Sequence, residues 1–340
     1  MTTRRLPLGL NLGLWDRMTS WDEAVEIARL ADELGYHSVS IPESFGRDGF
    51  TLCDRLLAAT TNIHVCLGLA NVFSRSPAVL AQTAATLDEL SGGRFILGIG
   101  SSTPNLVEGW HGLKFAKAMQ RTRETIEICH RIWDRDRSPY EGEIFKSGGV
   151  KLSFTPVRNR IPIWHGALLS NSLKVCGTHA DGWMPNLLPE NGFESCANAI
   201  SAAATQAGRA EDAVTVVGGM QMMVGDNASE LLGMLKFGVA VYYGPATSPY
   251  ARAAAGLGFE ADVADVQAAY AEGGSAAAIE ATSDRLANSV AITGNLESCR
   301  TRVETLLNGR ADILKVTMPA PTRAACEPIL EGIIPASLRG

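Results

Sequence analysis

Two side chains stand where acid–base chemistry could be done. Glu43 directly follows the apolar run His37–Pro42. A carboxylate at the end of a buried strand can take or give a proton, or orient a carbonyl. In a purely structural role it would cap a helix or pair with Arg47. His111 lies in the loop phrase Glu108-Gly109-Trp110-His111-Gly112. A loop imidazole titrates near neutral pH and can donate a proton or touch a substrate; loop packing or a subunit contact is its structural alternative. A third signal is the pair Gly98-Ile99-Gly100. A dinucleotide fingerprint needs G-x-G-x-x-G at the first strand-to-helix turn. Here the pair closes the fourth apolar run, and the third glycine position holds Thr103, followed by Pro104. The fingerprint fails on position and on spacing. At the carboxyl end of a later strand, glycines instead let a flat ligand lie close to the backbone.

The elements that must position these residues alternate along the chain. Apolar runs fit for buried strands cover Leu6–Leu12, His37–Pro42, His64–Ala70, Arg94–Gly100, Ile161–Gly166, Ala180–Leu187, Ala213–Val224 and Asp312–Thr317. Helical patterns lie between them. Ser20-Trp21-Asp22-Glu23 is a capping box, and the helix it opens ends at Gly35. Ser76-Pro77 opens another, which stops at Gly92-Gly93. Eight strand–helix units predict a (β/α)8 barrel spanning residues 1–340 as one domain, with a doubly wound sheet as the alternative. Two insertions interrupt the pattern: a hairpin at 139–157, with Tyr140–Phe145 and Lys151–Phe154 as strands, and an Ala-rich helical segment at 245–290. Barrel active sites sit at the carboxyl ends of the strands. That rule selects Asn11, Glu43, Asn71, Ser101, the Glu108–His111 loop and Gly166–Ser170. His37 and His64 begin strands and His130 lies in a helix; all three read as structural, and His165 as a core histidine.

Composition narrows the classes of function. The 340 residues carry a net charge of −6, which disfavours wrapping a nucleic-acid backbone. The seven cysteines are dispersed with no C-x-x-C pair, which predicts reduced thiols, a cytoplasmic setting and no structural zinc site. No signal peptide and no transmembrane run is read in the sequence, so no membrane partner is expected.

Several of these phrases resemble a known family. Leu90-Ser91-Gly92-Gly93-Arg94-Phe95 with Leu97-Gly98-Ile99-Gly100 is similar to the hallmark of the bacterial luciferase-like superfamily. Glu108-Gly109-Trp110-His111-Gly112, Ile41–Asp48, Ile161-Pro162-Ile163 and Ala180-Asp181-Gly182-Trp183 resemble its coenzyme F420-dependent branch, related to methylene-tetrahydromethanopterin reductase. The resemblance covers nearly the whole chain. It implies a deazaflavin-dependent oxidoreductase exchanging a hydride with a small organic substrate, with FMN in a two-component monooxygenase as the alternative and a non-catalytic barrel with a degenerate cofactor loop as a third reading. It implies a cofactor seat at Gly68, Leu69, Ala70 and Asn71, with a non-prolyl cis bond at Gly68–Leu69, and further contacts from Gly100, Ser101, Gly166, Ala167, Leu168, Leu169 and Ser170. Glu43 and His111 would be the catalytic residues. Two departures stand out. Ser44 replaces a histidine that serves as base in some relatives, and Leu169-Ser170 replaces Gly-Pro, although Ser170 suits an N-cap. Lys114, Lys117, Arg121 and Arg123 could form a basic rim for the polyanionic F420 tail, or a solvated helix face pairing with Glu124 and Glu127. A homo-oligomer, dimeric or larger, is the expected assembly.

Overall fold

The computed structural model describes residues 5–13, 19–43 and 46–339. Its strands are β1 (Leu6–Asn11), β2 (Tyr36–Ile41), β3 (His64–Asn71), β4 (Phe95–Gly100), β5 (Tyr140–Glu141), β6 (Lys146–Ser147), β7 (Ile163–His165), β8 (Gly182–Trp183), β9 (Thr215–Val224), β10 (Ala291–Gly294) and β11 (Ile313–Thr317). The helices are α1 (Trp21–Glu33), α2 (Gly49–Ala59), α3 (Pro77–Ser91), α4 (Pro104–Gly109), α5 (Ala118–Trp133), α6 (Ser170–His179), α7 (Phe193–Gln206), α8 (Ala228–Tyr243), α9 (Pro249–Ala254), α10 (Glu260–Ala281), α11 (Asp284–Ser289), α12 (Leu296–Leu307) and α13 (Arg323–Gly332). Parallel pairing runs β1-β2-β3-β4-β7-β8-β9-β11 and returns to β1, so eight strands close a ring. This is the (β/α)8 barrel expected.

Successive residues of a strand face opposite sides. Leu8, Leu10, Val39, Ile41, Val65, Leu67, Phe95, Leu97 and Ile99 pack outward against the helices in one large core. Cys66, Ile96, Trp164, Met184, Val217 and Ile313 form a second cluster inside the ring, with Leu69 against it.

The Ser91–Phe95 phrase works at the opposite end from the strand tips. Gly92 and Gly93 end α3 with φ of 65° and 94°, conformations a side chain disfavours. The chain then turns Arg94 under the barrel, where its guanidinium donates to the carbonyls of Leu57, Thr60 and Ile63. This motif staples the α2–β3 loop and does not approach the strand ends.

Three expectations need correction. The hairpin is tighter than 139–157: Tyr140–Glu141 pairs with Lys146–Ser147, and Lys151–Phe154 forms no strand. The Glu124 carboxylate sets that turn by accepting from the backbone N–H of Glu143, Ile144 and Phe145. The strand expected over Ala180–Leu187 keeps only Gly182–Trp183, because Pro185 lacks a donor and Leu187 turns to φ 49°. A further strand, β10, pairs with Gln221–Val224 on the edge of β9 away from β11. It fills the edge that the two-residue β8 leaves open. The Ala-rich insertion is helical, as α9 to α11, with Gly258 and Gly274 at φ of 91° and 66° where it bends. No described helix is long and apolar enough to cross a membrane, and all seven cysteines are buried free thiols.

Candidate active site

The carboxyl end of β3 is irregular. Leu67 pairs with Leu97 and Ala70 with Ile99, so β3 fits one residue more than β4 into the same span. That is a bulge, and the Gly68–Leu69 peptide is cis. The bulge turns the Leu69 side chain inward. A Cβ on Gly98, Gly100 or Gly166 would lie 2.9, 3.1 or 2.3 Å from a Leu69 methyl. A Cβ on Gly98 would also meet the Leu67 carbonyl oxygen at 2.0 Å. The glycines therefore make a bed for Leu69, which lies between Gly100 or Gly166 and anything entering from above. Ala70 is fully buried in the helix-facing core, so its side chain is turned away from the interior. Asn71, next along the strand, turns inward. Its Oδ1 accepts from Phe73 N–H at 2.9 Å, while its Nδ2 is buried with no hydrogen-bond partner among the described residues.

Glu43 follows β2 at the same end. Both of its carboxylate oxygens accept from Arg75, each at 2.7 Å. Arg75 also donates to Asp48 at 2.7 Å and lies over the Phe50 ring. Glu43 is thus a fixed acceptor held by a guanidinium from the loop after β3. Arg47, the partner a purely structural role would give Glu43, lies over the Trp21 ring instead. Burial pushes the Arg75 guanidinium down, but Glu43 and Asp48 outweigh it and hold the group above its ordinary range. Burial likewise works against the Asp48 carboxylate, and bonds from Thr51 together with the Arg75 charge bring it below the usual carboxylate range. Ser44 lies outside the described residues.

Beyond β4, Ser101 is half-buried and Ser102 takes φ 61°. The glutamate of the Glu108–Gly112 phrase closes its own loop, Oε1 accepting from Phe115 N–H at 3.1 Å. Trp110 is 63% exposed and does not cover the barrel. The His111 ring is half-buried and, among the described residues, makes no hydrogen bond or ion pair; no polar contact joins it to Glu43. His165 is buried, its Nδ1 donating to the Ile99 carbonyl at 3.1 Å.

The loop after β7 departs from expectation. Ala167 is buried in the outer core, and its carbonyl accepts from Trp183 Nε1 at 2.8 Å. The N–H groups of Leu168 and Leu169 donate to Ser172 Oγ at 3.1 and 3.0 Å. Ser172 in turn donates to the Leu169 carbonyl at 2.7 Å. The N-cap is Leu169, and Ser170 is already the first residue of α6. Two of the amides expected to grip an anion are therefore satisfied within the loop, leaving the first-turn amides of α6 open.

Of the basic cluster, Lys117 pairs with Glu143 and Arg123 with Glu127. Arg121 is clasped between Phe73 and Phe145, 4.7 and 4.9 Å from the ring centres. These are structural contacts of the α5–hairpin unit.

Two residues escaped the sequence reading. Arg75 sits 32 positions from Glu43, and its pairing is invisible without the ring. Lys315 was legible: it is the single charged residue of Ile313-Leu-Lys-Val-Thr317, at the same parity as the inward Ile313. The unpartnered Asn71 amide, two residues beyond the apolar Leu69 wall, and the Lys315 ammonium are donors on the inward side of their strands. A flat heterocycle carrying carbonyl and imide groups, as F420 and FMN both are, fits that donor set.

The profile of the luciferase-like monooxygenase family matches residues 8–312. A protein of Mycobacterium tuberculosis whose name places it provisionally among coenzyme F420-dependent oxidoreductases is 28% identical over 322 residues, covering 87% of this chain and 90% of its own. The 5,10-methylenetetrahydromethanopterin reductase of Archaeoglobus fulgidus is 32% identical over 197 residues, 58% of each chain. Among solved structures, the coenzyme F420-dependent tetrahydromethanopterin reductase of Methanopyrus kandleri superposes with a TM-score of 0.82 at 20% identity, over 97% of this chain and 99% of that one.

Proposed function

The chain belongs to the luciferase-like monooxygenase family, and from that premise we propose that it is a coenzyme F420-dependent oxidoreductase acting on a small organic substrate. The observation that carries this reading is the buried, unpartnered Asn71 Nδ2 beside the Leu69 bulge. An amide donor left without a partner costs about 1–3 kcal/mol; a ring carbonyl would satisfy it. When bound, the deazaflavin supplies the hydride chemistry. The chain's own residues do the rest. Leu69 walls one face of the seat and keeps water from it. Asn71 holds the ring by its polar edge. Ser101, Leu168, Leu169 and the first turn of α6 border the opening. Arg75 fixes the Glu43 carboxylate, which accepts from a substrate hydroxyl and so orients it. His111, with both ring nitrogens uncommitted, exchanges the proton that accompanies the hydride. The protein acts as a dimer or larger homo-oligomer in the cytoplasm.

The family's monooxygenases favour a second reading, in which reduced FMN occupies the same seat. Titration of the purified protein with F420 and with FMN, followed by absorbance and fluorescence, separates the two. Binding of F420 and not FMN supports the proposal, and FMN alone supports the monooxygenase reading. Binding of neither leaves the non-catalytic barrel. Light scattering of the same sample reads the assembly.

A further inference from the structure

Lys315 has no role in the reading above. Its side chain enters the ring between two glycines, Gly9 on β1 and Gly219 on β9, which are its neighbours in register. A Cβ on Gly219 would lie 3.3 Å from Lys315 Cε and 3.5 Å from Nζ, so the glycine clears the lane the side chain occupies. The residue is 7% exposed. Among the described residues no carboxylate, carbonyl or hydroxyl bonds its ammonium; it appears in no hydrogen bond or ion pair. The other titratable groups of the inner face do not offer a countercharge. Burial pushes the Cys66 thiol up to about 12. His37 and His64 stack on each other, His37 also on Trp164, and burial pushes both imidazoles down. Burial lowers the lysine itself to about 8, with Cys66 opposing.

A largely buried ammonium without a protein partner is costly, and proteins normally pair it or replace it. Here the glycine at 219 leaves room for the side chain.

We propose that Lys315 is the anion-binding residue of this barrel, its ammonium pairing with the negatively charged end of the ligand that enters past Leu69 and Asn71. The inference deepens the cofactor reading and in part rests on it. Two sources of that anion share one chemistry: the ionised ring of a deazaflavin or reduced flavin, and a flat carboxylate or enolate substrate.

The test uses the full-length protein, Lys315→Met and Lys315→Arg, with F420 and benzoate as probes. Binding is followed by fluorescence, and proton uptake by calorimetry in buffers of different ionisation enthalpy near pH 8. For at least one probe, wild type is expected to take up a fraction of a proton on binding. Lys315→Met should bind that probe at least about tenfold more weakly and take up none, while Lys315→Arg should retain binding. The probe affected identifies the source. Without ligand, Lys315→Met should melt about 2 °C or more above wild type, because an unpaired buried charge is gone. If Lys315→Met binds both probes as wild type does, or melts below it, the inference is overturned. Failure of F420 to bind wild type refutes the cofactor reading separately; the melting comparison still decides the lysine.

Discussion

The glycines under Leu69 give a graded test of the bulge. Alanine at Gly98 places a Cβ 2.0 Å from the Leu67 carbonyl oxygen and 2.9 Å from a Leu69 methyl. The first contact is with backbone held by pairing on both sides of β3, so β3 or β4 must move by more than an ångström. Overpacking a core typically costs 1–3 kcal/mol. With an immovable neighbour, the top of that range, about 3 kcal/mol, is expected for Gly98→Ala. For a chain of this length that lowers Tm by roughly 4 °C. At Gly166 the clash, 2.3 Å, is with the tip of Leu69 alone. A rotamer change relieves it, so about 1 kcal/mol is expected, but Leu69 is displaced into the seat and ligand binding should fall more than stability does. Alanine at Gly109 meets nothing within 4 Å and should be neutral, or stabilise α4 by about 0.5 kcal/mol. Urea unfolding gives the order of stabilities, and F420 titration gives the binding. A Gly98→Ala protein that unfolds with wild-type stability would refute the argument that this glycine exists to admit the bulge.

Three further outcomes follow from contacts already described. Glu43→Gln keeps one acceptor for Arg75 and should cost under about 1 kcal/mol of stability while lowering turnover at least tenfold; an unchanged rate in a steady-state assay removes Glu43 from the mechanism. Arg94→Met strips four carbonyls, those of Leu57, Thr60, Ile63 and Ser91, of their charged donor far from the strand tips; about 2–3 kcal/mol of stability should be lost, with cofactor affinity unchanged in the same titration. Acid should destabilise the fold through His37 and His130, whose imidazoles burial lowers to about 4 from an ordinary 6.5. Between those values the unfolded chain binds protons that the folded one refuses, so stability falls as pH drops from 6.5 to 4. His130→Gln should flatten that limb of a urea-midpoint-against-pH curve, and an unchanged slope would count against it.

Arg75 and Arg47 show where a linear reading stops. In a structural role Glu43 would cap a helix or pair with Arg47, but Arg47 lies over the Trp21 ring. The guanidinium that arrives comes from the next strand's loop, because ring closure sets strand tips side by side whatever their distance in sequence. The same closure turned Leu69 onto glycines of two other strands and left the Asn71 amide without a partner. It also moved the cap of α6 from Ser170 to Leu169, where a serine hydroxyl at 172 takes the backbone donors first.

What the sequence determined alone is the set of properties carried by neighbouring residues. Alternating apolar runs, helix caps at Ser20 and Ser76, and the stops at Gly35 and Gly92 all rest on local dihedral preference and parity. They are enough to specify eight strand–helix units and to bring Glu43, Asn71 and Gly166 to one end of the barrel. The tertiary structure decided the partners: which arginine holds Glu43, which side chain covers the glycines, and that Lys315 enters the ring with none. Those choices depend on contacts between strands far apart in the chain, and no local preference encodes them.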